Sequence, residues 1–288
     1  METQLGEYMK CYSCGEDLYK AKIIARKKDI RFNCYNTRRK IIKCLNCGLV
    51  QLIPQWSEQE LDDIYNKYNK KLDFVGQKNI SKRLNKYLKK YIHKDDSILE
   101  VGCGNGDNIK YLHRHNYIIM GIDKDRSVED KGSNIFNYDV YDKHLNGVKY
   151  SFIYGLHILE HMKDSIKFIN RLQEFSSQKG SILLEFPNVE DPLLTIYKVK
   201  EFEKFYYRPD HHFFYTPETI FNILYRNKIA NCKIIRKQNY GILNHLNWLF
   251  RKKPTNLRIN IPIIDTIYKF ILTKILKKSD TIILIIKK

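Results

Sequence analysis

The sequence predicts an α/β fold, a doubly wound, seven-stranded, mostly parallel sheet with a small cysteine-containing module at the N-terminus. Two observations predict the sheet: apolar strand candidates alternate with helical segments beyond residue 96, and a glycine-rich turn follows the first strand. Two Cys-x-x-Cys pairs predict the module. We therefore expect the module over residues 1–53, a helical connector over 54–95 and the α/β domain over 96–288.

Four of the seven cysteines form two pairs with the spacing of a zinc site. Cys11 and Cys14, and then Cys44 and Cys47, each bracket a turn followed by glycine, so two thiolates converge. The 29 residues between the pairs allow a long hairpin, which gives a zinc-ribbon-like module. Disulfides or unrelated thiols are the alternative, and a reducing cytoplasm disfavours them. Because four thiolates leave no open position, we expect a structural Zn²⁺ that folds the module.

The strands are expected where short apolar runs lie between turns and helical patterns. Pro54 ends the apolar run of residues 49–53, and the composition of residues 57–60 indicates a helix start. Helical periodicity predicts a second connector helix over roughly 79–92. The seven predicted strands are residues 98–101, 117–122, 134–139, 152–155, 181–186, 233–236 and 281–286.

The glycine-rich turn is the clearest sign of a ligand. Gly102, Gly104 and Gly106 follow the first predicted strand and precede a helical pattern, so the backbone turns sharply and can approach a ligand closely. Their spacing is x, x+2 and x+4, whereas the pyrophosphate-binding fingerprint needs x, x+2 and x+5. A nucleoside without phosphates, such as S-adenosylmethionine, fits this spacing better. An ordinary glycine turn is the alternative.

Acidic residues near the ends of the first three strands of the sheet are candidate ligands of the same cofactor. Asp123 lies 17 residues after Gly106 at the end of the second strand, where a carboxylate accepts hydrogen bonds from ribose hydroxyls. Asp139 ends the third strand and is expected near the adenine amino group. Glu100 precedes the turn and either receives the methionine amino group or orients the turn. Cys103 is interpreted as a small residue of the turn and not as a nucleophile.

Composition limits the partners and the compartment. Lys and Arg outnumber Asp and Glu by 51 to 32, a net charge of +19 that is spread along the chain. A general compositional bias explains this better than a nucleic-acid surface, although nucleic acid remains an alternative partner. The chain has no run of 18 uncharged apolar residues, and residues 1–10 lack the apolar region of a signal peptide, so we expect a cytoplasmic protein.

The C-terminal segment is locally basic and amphipathic. Residues 251–288 contain ten Lys or Arg against two Asp, a net charge of +8. We expect its helix to pack on the sheet, and peripheral contact with an anionic membrane is the alternative. The residues concerned are Ile267, Ile271, Ile275, Lys274, Lys277 and Lys278.

Four segments in order resemble the class I S-adenosylmethionine-dependent methyltransferases. Residues 98–106 (ILEVGCGNG) resemble their first motif and residues 121–123 (GID) their second. Residues 154–161 (YGLHILEH) are similar to the fourth-strand motif, and residues 180–188 (GSILLEFPN) to the fifth strand. The resemblance implies a Rossmann-like methyltransferase fold and adds Tyr154 and Leu156 to the cofactor-binding residues.

The cysteine pairs together with the sheet are similar to a subgroup of these enzymes in natural-product and cell-surface glycan pathways. Sugar C-methyltransferases of that subgroup carry a further C-terminal domain, whereas residues 281–286 here are expected to form the last strand of the sheet. We therefore expect methylation of a hydroxyl on a sugar, a nucleotide-linked sugar or a glycan precursor. Sugar C-methylation, methylation of RNA or protein docked by the zinc module, and a non-catalytic scaffold are the alternatives.

A hydroxyl acceptor must lose a proton, so a base is expected near the methyl donor. His157, after the fourth strand, and His211, after the fifth, are the candidates, with Asp210 keeping His211 neutral and basic near pH 7. Tyr207 and Tyr215 are expected to stack on the acceptor. The alternative is that these aromatic residues form a small core and that His211 and His212 cap the helix after residue 216. His161 is expected to begin a helix and brace the loop.

Overall fold

The computed structural model describes most of the chain. The described residues are 10–19, 21–26, 39–57, 59–61, 88–125, 130–208, 210–253 and 261–288. Most of the connector helix predicted over 79–92 lies outside them.

Seven strands form the main sheet, and all seven predicted strands contribute to it. They are β4 (Ser97–Val101), β5 (Ile118–Ile122), β6 (Ile135–Phe136), β7 (Tyr150–Leu156), β8 (Ser176–Pro187), β10 (Cys232–Lys237) and β11 (Thr281–Lys287). Their order across the sheet is β10-β11-β8-β7-β4-β5-β6. β11 alone runs opposite to the other six strands, so the predicted doubly wound, mostly parallel sheet is confirmed.

Both faces of the central strands are buried. Leu99 and Ile153 pack in one apolar cluster, whereas Ile98 and Phe152, their neighbours along the strands, pack in another on the opposite face. Alternate side chains of a strand point to opposite faces, so apolar layers cover the sheet on both sides. The strand order reverses between β4 and β7, and the carboxyl ends of β4, β5 and β7 form what we call the ligand edge.

Seven helices are described. They are α1 (Asp107–Arg114), α2 (Ser165–Phe175), α3 (Pro192–Thr195), α4 (Lys200–Tyr206), α5 (Pro217–Arg226), α6 (Ile242–Arg251) and α7 (Pro262–Phe270). Asp164 caps α2 by accepting hydrogen bonds from the backbone of Ile166 and Lys167. Thr216 and Thr219 form a capping box at α5, so His211 and His212 do not cap this helix.

The predicted third strand is shorter than expected. Only Ile135–Phe136 pairs with β5, whereas residues 137–139 are not part of a strand. Asn137 explains the early end, because its side-chain amide donates to the backbone carbonyls of Asp123 and Lys124 at 3.0 and 2.9 Å. These bonds join the ends of β5 and β6 at the ligand edge.

The cysteine-containing region forms a small sheet of four strands. Its strands are β1 (Lys22–Arg26), β2 (Lys40–Lys43), β3 (Val50–Ile53) and β9 (Phe213–Phe214), in that order. The last of them comes from the segment after β8, where Phe214 pairs with Val50. Further contacts join the regions: the Tyr12 hydroxyl donates to Asp164 at 2.7 Å, and Arg226 donates to the Ser13 carbonyl at 2.9 Å. The small sheet is therefore built onto the main domain.

The C-terminal helix differs from expectation. Helix α7 continues into a π-helical turn (Ile271–Ile275), and of these 14 residues only Asp265 and Leu272 are buried. Ile267, Ile271 and Ile275 are 56%, 39% and 64% exposed, so the expectation that they pack on the sheet was wrong. The helix is held instead by polar contacts, in which Asp265 accepts from the backbone of Ile242 at 2.9 Å and Ile261 at 3.1 Å.

None of the helices in the described ranges is both long enough and apolar enough to cross a lipid bilayer.

Candidate functional site

The glycine turn has the backbone that its sequence predicts. Gly102, Gly104 and Gly106 all have positive φ, at 72°, 50° and 67°. A Cβ on Gly106 would lie 2.0 Å from Ile135 Cδ1, and one on Gly102 would lie 2.7 Å from Ile158 Cδ1. Glycine is therefore required at both positions by the conformation and by the available space.

Asp123 joins this turn to the end of β5. Its carboxylate accepts from the backbone N–H of Gly104 at 2.8 Å and of Asp125 at 2.9 Å. The side chain is half-buried, and burial raises the pKa of Asp123 above its ordinary value. The predicted ribose ligand and the glycine turn are thus in direct contact.

Glu100 lies beneath the turn and is buried. Its two carboxylate oxygens accept from Asn108 Nδ2 at 2.9 Å and from the Tyr154 hydroxyl at 2.8 Å. Burial, which these hydrogen bonds only partly offset, raises the pKa of Glu100 to about 7. Tyr154 is itself fully buried, so it supports Glu100 from within the sheet and does not line an open surface.

The other predicted cofactor residues occupy different positions. Cys103 is buried, its backbone N–H donates to the Ile122 carbonyl at 3.1 Å, and burial raises the pKa of its thiol. This packing agrees with its interpretation as a small residue of the turn. Leu156 ends β7 and is half-buried. Asp139 is exposed in the turn after β6 and accepts from the backbone of Tyr141 at 2.9 Å.

His157 begins the segment that follows β7 at the ligand edge. Its backbone has a positive φ of 55°, and its N–H donates to the Glu185 carbonyl at 2.7 Å. Its ring is 57% exposed, and Nδ1 lies at an ion-pair distance of 3.4 Å from Glu160 Oε1. Desolvation lowers the pKa of His157, but Glu160 and Glu185 raise it by more, so the net shift is upward.

The environment of His211 differs from the prediction. The Asp210 carboxylate accepts two hydrogen bonds from Arg208, at 3.0 and 2.6 Å, and no bond between it and the His211 ring is present among the described residues. His211 is only 7% exposed, and burial lowers its pKa to about 3. The ring is neutral near pH 7, as expected, but it is a weak base because its protonated form is poorly solvated.

The predicted aromatic wall of the acceptor site is part of the core. Tyr207 is buried and makes an edge contact with Phe214, with 5.1 Å between ring centroids. Tyr215 is also buried, and its hydroxyl is hydrogen-bonded to Ser165. The expectation that these rings stack on an acceptor was wrong, because the aromatic residues around β9 pack against the small sheet and α4.

A cluster of three side chains, which we call the histidine cluster, lies beside the ligand edge. One ligand atom from each of Glu160, His161 and His211 lies within 4.8 Å of the others. The cluster starts close to the glycine turn, because Ile158 packs over Gly102. Sequence reasoning did not select Glu160 or His161. The sequence did contain a signal for this cluster. Glu160 and His161 are adjacent shortly after the fourth strand, and His211 and His212 are adjacent after the fifth.

The four paired cysteines form a second group, which we call the cysteine cluster. The Sγ atoms of Cys11 and Cys47 lie 3.4 Å apart and those of Cys14 and Cys44 lie 3.7 Å apart. All four lie within 4.8 Å of one another. Tetrahedral zinc with bonds of about 2.3 Å places its sulfur ligands about 3.8 Å apart, so these residues fit such an ion. The separations also exceed the length of a disulfide bond.

One solved structure shares the fold of this chain, and a second aligns more weakly. A SAM-dependent methyltransferase from Archaeoglobus fulgidus aligns with a TM-score of 0.51 at 19% identity, over 73% of this chain and 94% of that protein. The plantazolicin methyltransferase BpumL in complex with SAH aligns with a TM-score of 0.46 at 17% identity, over 81% of this chain and 91% of that one. No curated protein matches the sequence.

A family model described as "Methyltransferase domain" matches residues 68–230, which is more than half of the chain. The match spans β4 to β9 and includes the glycine turn, Asp123 and the histidine cluster. It confirms the predicted S-adenosylmethionine-dependent methyltransferase class, and it argues against a non-catalytic scaffold. The protein is a methyltransferase and belongs to this family of methyltransferase domains.

Proposed function

We propose that this enzyme transfers the methyl group of S-adenosylmethionine to a hydroxyl of a small molecule, a nucleotide-linked sugar or a cell-surface glycan precursor. The observation that carries the donor half is the hydrogen bond between Gly104 and Asp123. This bond joins the glycine turn, whose backbone can approach a ligand closely, to the carboxylate that we propose binds the ribose. Both lie at the edge of the sheet where the strand order reverses.

The proposed roles of the donor-side residues follow from their positions. Gly102, Gly104 and Gly106 let the backbone approach the nucleoside, and Asp123 accepts from the ribose hydroxyls. Leu156 lies at the same edge, and Asp139, which is exposed in the turn after β6, is proposed to meet the adenine amino group. Glu100 acts from beneath the turn, held by two donors, as an orienting residue. S-adenosylmethionine itself supplies an electrophilic methyl group on a sulfonium.

The histidines beside the glycine turn support the second part of the proposal, transfer to a hydroxyl acceptor. Transfer from a sulfonium is an in-line displacement, so positioning supplies most of the acceleration, and an oxygen acceptor must also lose a proton. His157 is the exposed titratable ring at this edge, and His211 is the buried one. We therefore assign proton acceptance to His157 and positioning to His211, with Asp210 holding Arg208 beside it.

We also propose that the cysteine cluster binds a structural Zn²⁺. Its four thiolates leave no open position for a substrate, so this ion supports folding alone. Because β3 pairs with β9 and Leu52 donates to the His212 carbonyl at 2.9 Å, the folded small sheet also fixes the segment that carries His211. The small sheet is thereby linked to the acceptor side of the site.

The acceptor class is tested by incubating the full chain with methyl-labelled S-adenosylmethionine and three separate pools: nucleotide sugars and glycan intermediates, RNA, and protein. We expect label in the first pool, bound through oxygen. Label confined to RNA or protein would overturn the assignment, and label on a sugar carbon would replace it with C-methylation.

The division between donor and acceptor residues is tested with two variants. Asp123→Asn should weaken binding of the cofactor and of its demethylated product, because it removes a charged acceptor for hydrogen bonds worth roughly 1.5–3 kcal/mol each. His211→Ala should abolish turnover and leave cofactor affinity at the wild-type value. Wild-type turnover in the His211→Ala variant would remove this residue from the acceptor site.

A further inference from the structure

The histidine cluster contains a buried carboxylate that accepts no hydrogen bond from the described residues. Glu160 is 2% exposed, and neither of its carboxylate oxygens has a hydrogen-bond partner among the described residues. The His157 ring lies 3.4 Å from Oε1, and it carries a charge only when it is protonated. A buried carboxylate without hydrogen bonds costs several kcal/mol, so its retention calls for a partner of another kind.

The two histidines present nitrogen atoms to this carboxylate. The rings of His161 and His211 meet edge to face, with centroids 4.7 Å apart. His161 Nδ1 lies 2.9 Å from the Asp210 carbonyl. Because a carbonyl only accepts, Nδ1 carries the proton and Nε2 retains the lone pair. This backbone contact orients the ring in the way that outer hydrogen bonds orient histidines bound to metals.

From this geometry we propose that Glu160, His161 and His211 bind a divalent transition-metal ion. Two imidazoles with one carboxylate suit such an ion and leave coordination positions open. Donors bound at about 2.1 Å lie about 3.0–3.4 Å apart, so separations of up to 4.8 Å close by small side-chain rotations. The histidine cluster differs in this from the cysteine cluster, whose thiolates complete a tetrahedron.

The proposed ion indicates which acceptors the site binds, and this inference rests on the proposed function, in which the acceptor is a hydroxyl. A hydroxyl oxygen bound in an open position loses its proton more readily, since a cation stabilises the resulting anion. The proton passes to His157, on the exposed side of the cluster, and from there to solvent. The oxygen then forms a bond to the methyl carbon, the carbon–sulfur bond breaks, and its electron pair stays on sulfur. Acceptors with a second oxygen beside the reacting hydroxyl, such as sugar diols, fit two open positions.

Binding of Mn²⁺ to the full chain tests the site, because Mn²⁺ prefers nitrogen and oxygen donors to thiolates. Electron paramagnetic resonance titration follows free Mn²⁺ for the wild type, Glu160→Gln and His211→Ala. The control is His113→Ala, on the exposed surface of α1. We expect saturable binding by the wild type and the control, and affinity lower by more than about tenfold in both cluster variants. Thermal unfolding and calorimetric binding of the demethylated cofactor are measured on each protein.

Each outcome separates this inference from the proposed function. Loss of Mn²⁺ binding in folded cluster variants that still bind the demethylated cofactor supports the metal site. A wild-type chain that binds the demethylated cofactor but no Mn²⁺, or cluster variants that bind Mn²⁺ as the control does, would overturn the metal site alone. A wild-type chain that binds Mn²⁺ but no cofactor would contradict the proposed function and leave the metal site standing. If Glu160→Gln unfolds, His211→Ala decides.

Discussion

The small sheet and the ligand edge both gather polar side chains, but they do so in opposite ways. In the cysteine cluster four like groups lie within 4.8 Å with the spacing of a closed tetrahedron. At the ligand edge the groups are unlike, and several are left unsatisfied or strained. Beside it, both carboxylate oxygens of Glu160 are buried without hydrogen-bond partners among the described residues, and His157 has a positive φ.

This difference supports the proposal that the cysteine cluster serves folding and the histidine cluster serves chemistry. A closed set of thiolates gains stability from one ion and has no position for a reactant. A buried carboxylate without hydrogen bonds, as at Glu160, lowers stability, so its retention calls for a ligand. The two regions are nevertheless joined, because β9 pairs with the small sheet and lies next to the residues of the histidine cluster.

The largest effect is expected from removing one thiolate of the cysteine cluster. Cys47→Ser should lose bound zinc, because it removes one of the four ligands. The loss should be destabilising, because structural zinc contributes an apparent binding free energy of about 10–16 kcal/mol to folding. Hydrogen exchange should then show opening of β2 and β3, and of β9 because it pairs with β3. Cys232→Ser, at a half-buried free thiol on β10, is the matched control. Full protection of β3 in zinc-free Cys47→Ser would contradict the folding role.

A smaller but more local effect is expected from a methyl group in the glycine turn. Gly106→Ala places a Cβ 2.0 Å from Ile135 Cδ1 at a φ of 67°. Gly147→Ala has a similar φ of 83° but nothing within 4 Å, so it isolates the backbone strain of about 1–3 kcal/mol. Calorimetry should show cofactor binding lost in Gly106→Ala and retained in Gly147→Ala. Equal cofactor affinity in the two variants would show that the turn does not touch the ligand.

The smallest effect is a pH dependence that arises from Glu100. Its folded pKa of about 7 lies above the unfolded value, so its contribution to stability is present below about pH 4.5 and lost as the pH rises through 7. Cofactor binding should change in the opposite direction, because the positive charge of the sulfonium favours the ionised carboxylate. We expect affinity to rise about tenfold from pH 6 to pH 8, as the ionised fraction grows. Glu100→Gln should remove this dependence, and its persistence would assign the titration to another group.

Local patterns in the sequence predicted the parts of the molecule that depend on neighbouring residues. The strands, the glycine turn, Asp123 and the four cysteines follow from short apolar runs and fixed spacings. The pairing of β3 with Phe213–Phe214 was not predictable in this way, because a two-residue strand has no periodicity and its partner is far away in the chain.

The misassigned side chains have the same physical origin. Asp210 was expected to contact His211, its neighbour in sequence, but it binds Arg208, and Tyr207 is buried against β9. The burial of a side chain and its hydrogen-bond partners depend on how distant segments pack, so they cannot be read from neighbouring residues in the sequence. The histidine cluster likewise becomes evident only when the segments after β7 and β8 are brought together.

The division of labour between the two clusters is tested most directly by selective removal of metal from the full chain. A chelator strips ions held by nitrogen and oxygen donors, and the zinc content is checked to show that the thiolate site is intact. Methyl transfer to the labelled pool and the melting temperature are then measured before and after addition of Mn²⁺. We predict that transfer falls after stripping and is restored by Mn²⁺, and that the melting temperature falls less than it does in Cys47→Ser, because stripping removes only the binding contribution of this ion to stability. Unchanged transfer after stripping, or a fall in melting temperature as large as that of Cys47→Ser with zinc retained, would contradict the account.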